Sequence, residues 1–137
     1  MRIIVAGSRT FTDYEVVAGI LDRVFGPDWA TTKFGDSTEV LTEVVVGGAR
    51  GVDTLADRWA REHDIPLKRF PADWNSYGKA AGMIRNRQMA EYAAQSTDGP
   101  GALVAIWDGI SLGTRHMIQT AKANGLLVEV HRPEEKP

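Results

Sequence analysis

Short apolar segments followed by a glycine turn and then by an amphipathic helix recur along this chain. The clearest example begins at Val44–Val46, where three β-branched residues in a row favour a buried strand. Gly47 and Gly48 end that strand, and apolar residues then recur at helical spacing over 52–60. Because repeated strand–turn–helix units pair their strands in parallel and cover both faces with helices, this pattern predicts an α/β fold.

Hydrophobic periodicity divides the rest of the chain in the same way. The predicted strands are Ile3–Ala6, Val44–Val46, Leu67–Phe70, Ala102–Trp107 and Leu126–Val130. A helix is expected after each of the first four strands, the third of them over about 80–94. With right-handed crossovers, residues 1–137 are expected to form a single doubly wound Rossmann-like domain with a mostly parallel five-stranded sheet and helices on both faces. The polar residues 27–42 predict a variable surface loop, and residues 132–137 predict a charged tail.

Composition argues against several classes of protein. The chain contains no run of about 18 apolar residues, so no membrane-spanning helix and no membrane partner are predicted. The apolar run at the N-terminus is too short for the core of an export signal. The chain has no cysteine, which excludes thiol chemistry and fits a cytoplasmic protein. The three histidines lie far apart without the spacing of metal ligands, so no metal site is expected.

Glycine, serine, arginine and aspartate follow the predicted strands where these end. Ligands of doubly wound sheets bind beyond the carboxyl ends of the strands, where glycine allows close approach and helix N-termini hold phosphate. One such turn is ordinary chain punctuation, but several on one edge favour a shared cleft. The candidate ligand-binding residues are Gly7, Ser8, Arg9, Gly47, Gly48, Ala49, Arg50, Gly51, Asp53, Arg85, Asn86, Asp108, Gly109, Ser111, Gly113 and Thr114.

The helix over 80–94 carries two arginines near its start. At 100° per residue, Arg85 and Arg87 point to roughly opposite sides, so only one of them faces a cleft easily. Arg85 lies nearer the helix start, and we expect it in the cleft with Asn86 beside it. The alternative is that both arginines are solvated or form surface ion pairs.

Three aspartates have competing interpretations. Asp53 is expected to cap its helix, with ligand contact as the alternative. Asp108 either accepts a hydrogen bond from a ribose hydroxyl or forms an Asp-Gly turn. Asp73 is a candidate general acid or base, or else a plain loop residue. If the chain is an enzyme, Arg85, Asp73 and Asp108 are its catalytic candidates, and Trp74 is placed to stack on a base.

Two common phosphate-binding motifs are incomplete or absent. Gly7-Ser8-Arg9 lacks the second and third glycines of the dinucleotide fingerprint G-x-G-x-x-G. The P-loop pattern G-x-x-x-x-G-K-[ST] does not occur. The predicted phosphate site is therefore neither a standard NAD turn nor a P-loop.

A set of motifs resembles the SLOG superfamily, and within it the branch called DUF2493 or YspA (YpsA-related). The motifs are Gly7-Ser8-Arg9, Gly47-Gly48-Ala49-Arg50-Gly51-Val52-Asp53, Asp73-Trp74, Gly82-Met83-Ile84-Arg85-Asn86 and Trp107-Asp108-Gly109-x-Ser111-x-Gly113-Thr114. The resemblance covers nearly the whole chain except residues 26–42 and the tail. It implies a Rossmann-like fold and a nucleotide or NAD-derived ligand.

Two relatives within that superfamily suggest other activities. The LOG phosphoribohydrolases carry an Arg-Lys-x-x-Met helix, and Arg85–Met89 resembles it with Asn in place of Lys. They also carry a Pro-Gly-Gly-x-Gly-Thr-x-x-Glu turn, and only its Gly-Thr pair is matched here, by Gly113 and Thr114. The position of the catalytic Glu is Met117, whose thioether moves no proton, so this resemblance does not support hydrolysis. The DNA-processing protein DprA binds single-stranded DNA, but a net charge of −2 argues against a nucleic-acid partner.

The function expected from the sequence is the sensing or sequestering of a nucleotide or an NAD/ADP-ribose-derived small molecule. Its phosphate is expected over the Gly47–Gly51 and Gly109–Thr114 turns, with Arg9, Arg50 and Arg85 as cations. A LOG-like nucleotide hydrolase is the first alternative, and a DprA-like module for single-stranded nucleic acid is the second. The resemblance also implies a homo-oligomer, and no cofactor beyond the nucleotide-like ligand is expected.

Overall fold

The structure is a computed structural model that describes residues 1–25, 31–34, 37–41, 43–96 and 99–133. Strands and helices alternate along most of the chain, as the periodicity predicts. The strands are β1 (Arg2–Gly7), β2 (Thr31–Phe34), β3 (Ser37–Val40), β4 (Glu43–Val46), β5 (Leu67–Arg69), β6 (Ala102–Ile106) and β7 (Leu127–His131). The helices are α1 (Tyr14–Phe25), α2 (Val52–Glu62), α3 (Trp74–Tyr77), α4 (Ala81–Ala94) and α5 (Leu112–Ala123).

Five of the strands form one parallel sheet in the order β5-β4-β1-β6-β7. From β1 the chain moves outward through β4 to β5, and it then returns to the other side of β1 for β6 and β7. The order therefore reverses between β1 and β6, which is where a doubly wound sheet opens a crevice for ligands. The predicted α/β fold with a five-stranded parallel sheet is confirmed.

Helices cover both faces of this sheet because alternate residues of each strand point to opposite sides. Ile3 and Val5 belong to a core that also contains buried residues of α1 and α2. Ile4 and Ala6 belong to a second core formed with α4 and α5. Helices α4 and α5 therefore share one face of the sheet, and their N-termini lie near the same strand ends.

The prediction of a loop over residues 27–42 is wrong for residues 31–34 and 37–40. Thr31–Phe34 and Ser37–Val40 pair as antiparallel strands, with Thr31 opposite Val40 and Phe34 opposite Ser37. Threonine and valine are β-branched and favour strands, a preference that the polar composition of the segment concealed. Residues 26–30, 35, 36 and 42 lie outside the described residues.

The structure also differs from the predicted elements before α4 and in the C-terminal tail. The short helix α3 and the 3₁₀ turn Gly78–Ala80 precede α4, in a stretch where no helix was predicted. A four-residue helix is too short to show a helical period in its sequence. The predicted tail begins with Arg132, whose guanidinium lies 5.9 Å from the ring centroid of Trp107, and residues 134–137 lie outside the described part.

Candidate functional site

A pocket of about 410 Å³ lies at the carboxyl end of the sheet, beyond β1 and β6, between which the strand order reverses. Its volume falls within the range of roughly 300–1,000 Å³ that is usual for small-molecule sites. Residues following β1, residues at the start of α5, and one side of α4 line it. The lining residues are Ala6, Gly7, Ser8, Arg9, Thr10, Ala49, Asp53, Trp74, Lys79, Gly82, Met83, Arg85, Asn86, Met89, Ser111, Leu112, Gly113, Thr114 and Met117.

Arg85 supplies a fixed positive charge to the pocket wall. Its Nε donates to Oδ1 of Asn86 at 3.2 Å, and its Nη1 donates to the carbonyl oxygen of Gly47. The side chain is buried, whereas Arg87 is exposed, so Arg85 is the arginine that faces the pocket. Burial lowers the pKa of Arg85 and nearby Asp53 opposes that change. A guanidinium stays protonated at neutral pH even so, and Arg85 therefore brings a charge that suits an anion.

The buried side chain of Asp53 lies inside the glycine-rich turn after β4 and hydrogen-bonds to its backbone. Asp53 is 4% exposed, and its Oδ2 accepts a hydrogen bond from the N–H of Ala49 at 3.1 Å. Burial raises the pKa of Asp53 to about 6, although the N–H groups of Ala49 and Gly47 and the charge of Arg85 favour the ionised form. The carboxylate of Asp53 thus occupies the Gly47–Gly51 turn, where the sequence predicts a phosphate.

The position of Asp53 also tests the first interpretation of this residue, that it caps α2. Gly51, with φ 73°, is the N-cap residue of α2, and no side chain caps that helix. Asp53 lies in the first turn of the helix and reaches back to Ala49, so the prediction that it caps α2 is wrong. A Cβ added to Gly47 would lie 2.5 Å from Nη1 of Arg85 and 2.9 Å from Oδ2 of Asp53. Glycine is therefore required where the turn packs on these two side chains.

Asp108 organises the loop between β6 and α5. Its Oδ1 accepts from the N–H groups of Ile110 and Ser111 at 2.8 Å each, and Oδ2 accepts from the Ser111 hydroxyl at 3.0 Å. These bonds lower the pKa of Asp108 to about 2. The N–H of Asp108 itself donates to the hydroxyl of Ser8 at 3.0 Å, which ties this loop to the turn after β1. Asp108 therefore builds the loop and does not line the pocket.

The first turn of α5 directs backbone N–H groups at the pocket, in contrast to the glycine-rich turn, where Asp53 accepts the N–H of Ala49. The first hydrogen bond across this helix start runs from the N–H of Arg115 to the carbonyl of Ser111 at 3.1 Å. The N–H groups of Leu112, Gly113 and Thr114 precede that bond, and all three residues line the pocket. The positive end of the helix dipole adds to their attraction for an anion.

Other lining residues are apolar. Met89 and Met117 are buried, whereas Trp74 and Met83 are about half exposed. Sequence reasoning did not place Met83 and Met89 in the site, yet the spacing of Met89 carries a signal. Met89 lies four residues after Arg85 on the same helix face, just as Met117 lies three residues after Thr114. Helical spacing from the chosen polar residues would therefore have identified both buried thioethers.

Several candidate residues do not line this pocket. Arg50 and Asp73 are exposed, and the carboxylate of Asp73 accepts from the N–H of Ser76 at 3.1 Å to cap α3. Gly109 packs against the guanidinium of Arg132 instead. The candidates outside the lining are Gly47, Gly48, Arg50, Gly51, Asp73, Asp108 and Gly109. The pocket thus brings together the β1 and α5 candidates with Ala49, Asp53, Arg85 and Asn86, and leaves most of the glycine-rich turn behind it.

Two further findings apply to the described residues only. None of their helices is both long enough and apolar enough to cross a membrane. Among the same residues, no group of three or more histidine, aspartate or glutamate side chains is placed to hold a metal ion.

Fold and site together define a Rossmann-like α/β protein with a cationic pocket at the switch point of its sheet. The chain belongs to the YspA, cpYpsA-related SLOG family (YAcAr), whose family model matches residues 1–77. That match ends before Arg85 and α5. Membership of this family is consistent with a nucleotide-related function.

A protein comparison extends the similarity over nearly the whole chain. The chain is 32% identical over 133 residues to "Gene 61 protein" of Mycobacterium phage D29, a match that covers 93% of each protein. No solved structure matches the chain.

Proposed function

We propose that this protein binds a phosphorylated, nucleotide-like small molecule in the pocket between β1, α4 and α5. The observation that carries the proposal is the N-terminus of α5, whose N–H groups before the first intrahelical hydrogen bond face the same space as the buried guanidinium of Arg85. Backbone donors and a fixed arginine together suit the oxygens of a phosphate group. Family membership supports a ligand from the nucleotide class.

The charge of the pocket supports an anionic ligand independently. Arg9, Lys79 and Arg85 line it, and Asp53 is the carboxylate among the lining residues. Three cations and one carboxylate give a formal charge of +2, whereas the whole chain carries −2. Because the formal charge of the pocket lining is positive while the net charge of the chain is negative, the lining attracts anions locally.

The phosphate is placed at the α5 N-terminus and beside Arg9, and not over the Gly47–Gly51 turn. Asp53 already accepts from the N–H of Ala49 there, so an incoming phosphate would meet a buried carboxylate. A LOG-like hydrolase is not favoured, because the buried Met117 stands in the lining where those enzymes have a glutamate. Binding without cleavage is the function that these groups support.

A thermal-shift and calorimetric panel of AMP, ADP-ribose, NAD and cyclic AMP tests the proposal. At a concentration of about a hundred times Kd, a ligand stabilises the folded state by roughly 2.7 kcal/mol, which is readily measured. Arg9→Ala should weaken binding about tenfold, because it removes a charged partner of the phosphate from an exposed position that the fold does not need.

Arg50→Ala is the matched control for that variant. It removes the same charge from an exposed residue outside the pocket and should leave the affinity unchanged. The proposal fails if no member of the panel shifts the melting temperature. It also fails if the two variants lose affinity equally, since that result indicates a nonspecific charge effect.

A further inference from the structure

Trp74 both lines the pocket and remains half exposed, with 52% of its surface accessible. The ring contacts among the described residues involve Phe25, Trp59, His63, Phe70 and Tyr92 but not Trp74. A large aromatic ring is therefore presented to the pocket without an aromatic partner from the described chain.

The backbone of α4 supports this ring. A Cβ added to Gly82 would lie 3.7 Å from Cη2 of Trp74, so the indole rests close to the first turn of that helix. One residue further, Met83 also lines the pocket and is 46% exposed. Thioethers pack favourably on aromatic rings, and an indole offers a flat face for stacking.

The polar and apolar parts of the lining therefore call for two different groups on one ligand. Arg85 and the start of α5 suit an anion, whereas Trp74 and Met83 suit a flat, weakly polar ring. We infer that Trp74 and Met83 form a platform on which the planar heteroaromatic base of the ligand stacks. This inference rests on the proposed function, because it assigns the second half of the same pocket.

The chain provides a close control for Trp74. Tyr77 lies on the same short helix and is 50% exposed, but it is not among the lining residues. Trp74→Leu and Tyr77→Leu each remove one exposed aromatic ring from α3, and only the first removes it from the pocket. Trp74→Phe keeps a flat ring at the site and tests whether that ring restores the affinity for the base.

The experiment compares AMP with ribose 5-phosphate by calorimetry in the full chain and in these three variants. AMP should bind the unaltered chain at least about tenfold more tightly than ribose 5-phosphate, because stacking of a base on an aromatic ring adds to the phosphate contacts. Trp74→Leu should reduce AMP affinity to nearly that of ribose 5-phosphate and leave ribose 5-phosphate binding unchanged. Trp74→Phe should restore part of the preference, and Tyr77→Leu should preserve all of it.

Tryptophan fluorescence gives a second readout. Saturating AMP should quench emission in the unaltered chain, and the quench should disappear in Trp74→Phe even where binding persists. The inference is overturned if AMP and ribose 5-phosphate bind equally well, or if Trp74→Leu weakens both alike, and the proposed function survives either result. If neither probe binds, the inference fails, and the proposed function fails with it only if ADP-ribose, NAD and cyclic AMP do not bind either.

Discussion

The side-chain amide nitrogen of Asn86 lies 3.1 Å from Nδ1 of His116 and thereby joins α4 to α5. The same nitrogen donates to the carbonyl oxygen of Gly113 at 3.3 Å, while Oδ1 of Asn86 accepts from Nε of Arg85. Because an amide N–H₂ only donates, Nδ1 of His116 must be the acceptor, and its proton lies on Nε2. Asn86 thus orients the arginine of the pocket and the helix start that faces it.

Asn86→Asp should raise the pKa of His116. In the unaltered chain, burial and the charge of Arg87 lower that pKa, and the Asn86 hydrogen bond requires the neutral ring. A carboxylate at position 86 cannot donate to Nδ1 and would instead favour a protonated imidazole. An NMR titration of the ring protons measures the change, with His63 and His131 as internal references.

An unchanged pKa of His116 in that variant would show that the two side chains do not interact in solution.

A stability measurement complements the titration. Asn86→Leu should lower the free energy of unfolding by about 1–3 kcal/mol, because the buried Arg85 loses a partner. Arg87→Ala changes an exposed neighbour and should stay within about 0.5 kcal/mol.

Asp53 should make the stability of the protein depend on pH between about 4 and 6. Its pKa is raised from 3.8 to about 6 in the folded state, so folding takes up a proton in this range. The contribution of Asp53 to stability is therefore present below about pH 4 and is lost as the pH rises through 6. Two units of pKa correspond to about 3 kcal/mol at most.

Urea unfolding of the unaltered chain and of Asp53→Asn at several pH values measures this contribution. The free energy of unfolding of the unaltered chain minus that of the variant should fall between pH 4 and pH 6.5, because an amide does not titrate. A difference that stays constant across this range, or that rises, would contradict the raised pKa. Comparing the two chains cancels the titration of the remaining groups.

The sequence was a good guide to the sheet and a weaker guide to the site. Buried strands such as Val44–Val46 are recognisable from composition alone, and the turns after parallel strands must meet at one edge. Which of these turns can accept a ligand depends on the direction of nearby side chains, and hydrophobic periodicity does not predict that direction. Asp53 reaches back to the N–H of Ala49 in the turn after β4, whereas Asp108 accepts from Ile110 and Ser111 within its own loop, before α5 begins.

Asp108→Ala should destabilise the loop before α5 more than an ordinary surface substitution does. Asp108 accepts three hydrogen bonds from Ile110 and Ser111, and these donors would lose their partner. We expect the free energy of unfolding to fall by about 1–2 kcal/mol at pH 7, measured in urea. Asp73→Ala removes an exposed carboxylate that caps only the four-residue α3 and should cost less. Equal losses in the two variants would contradict the role assigned to Asp108.

Gly113→Ala should separate folding from binding. A Cβ there has no described heavy atom within 4 Å, and alanine favours the helix by up to about 1 kcal/mol. The added methyl group would nevertheless stand on the pocket wall at the start of α5, where the phosphate is proposed to approach the backbone. The variant should therefore be as stable as the unaltered chain or slightly more stable, and bind AMP about tenfold more weakly.

Gly19→Ala is the control for that variant. Gly19 lies in α1, on the face of the sheet opposite α5, and a Cβ there also meets open space among the described residues. It should gain helix stability in the same way and keep full affinity for AMP. Thermal unfolding and calorimetry on both variants provide the comparison. If Gly113→Ala binds AMP as tightly as Gly19→Ala does, the ligand does not approach the start of α5, and the phosphate must lie elsewhere in the pocket.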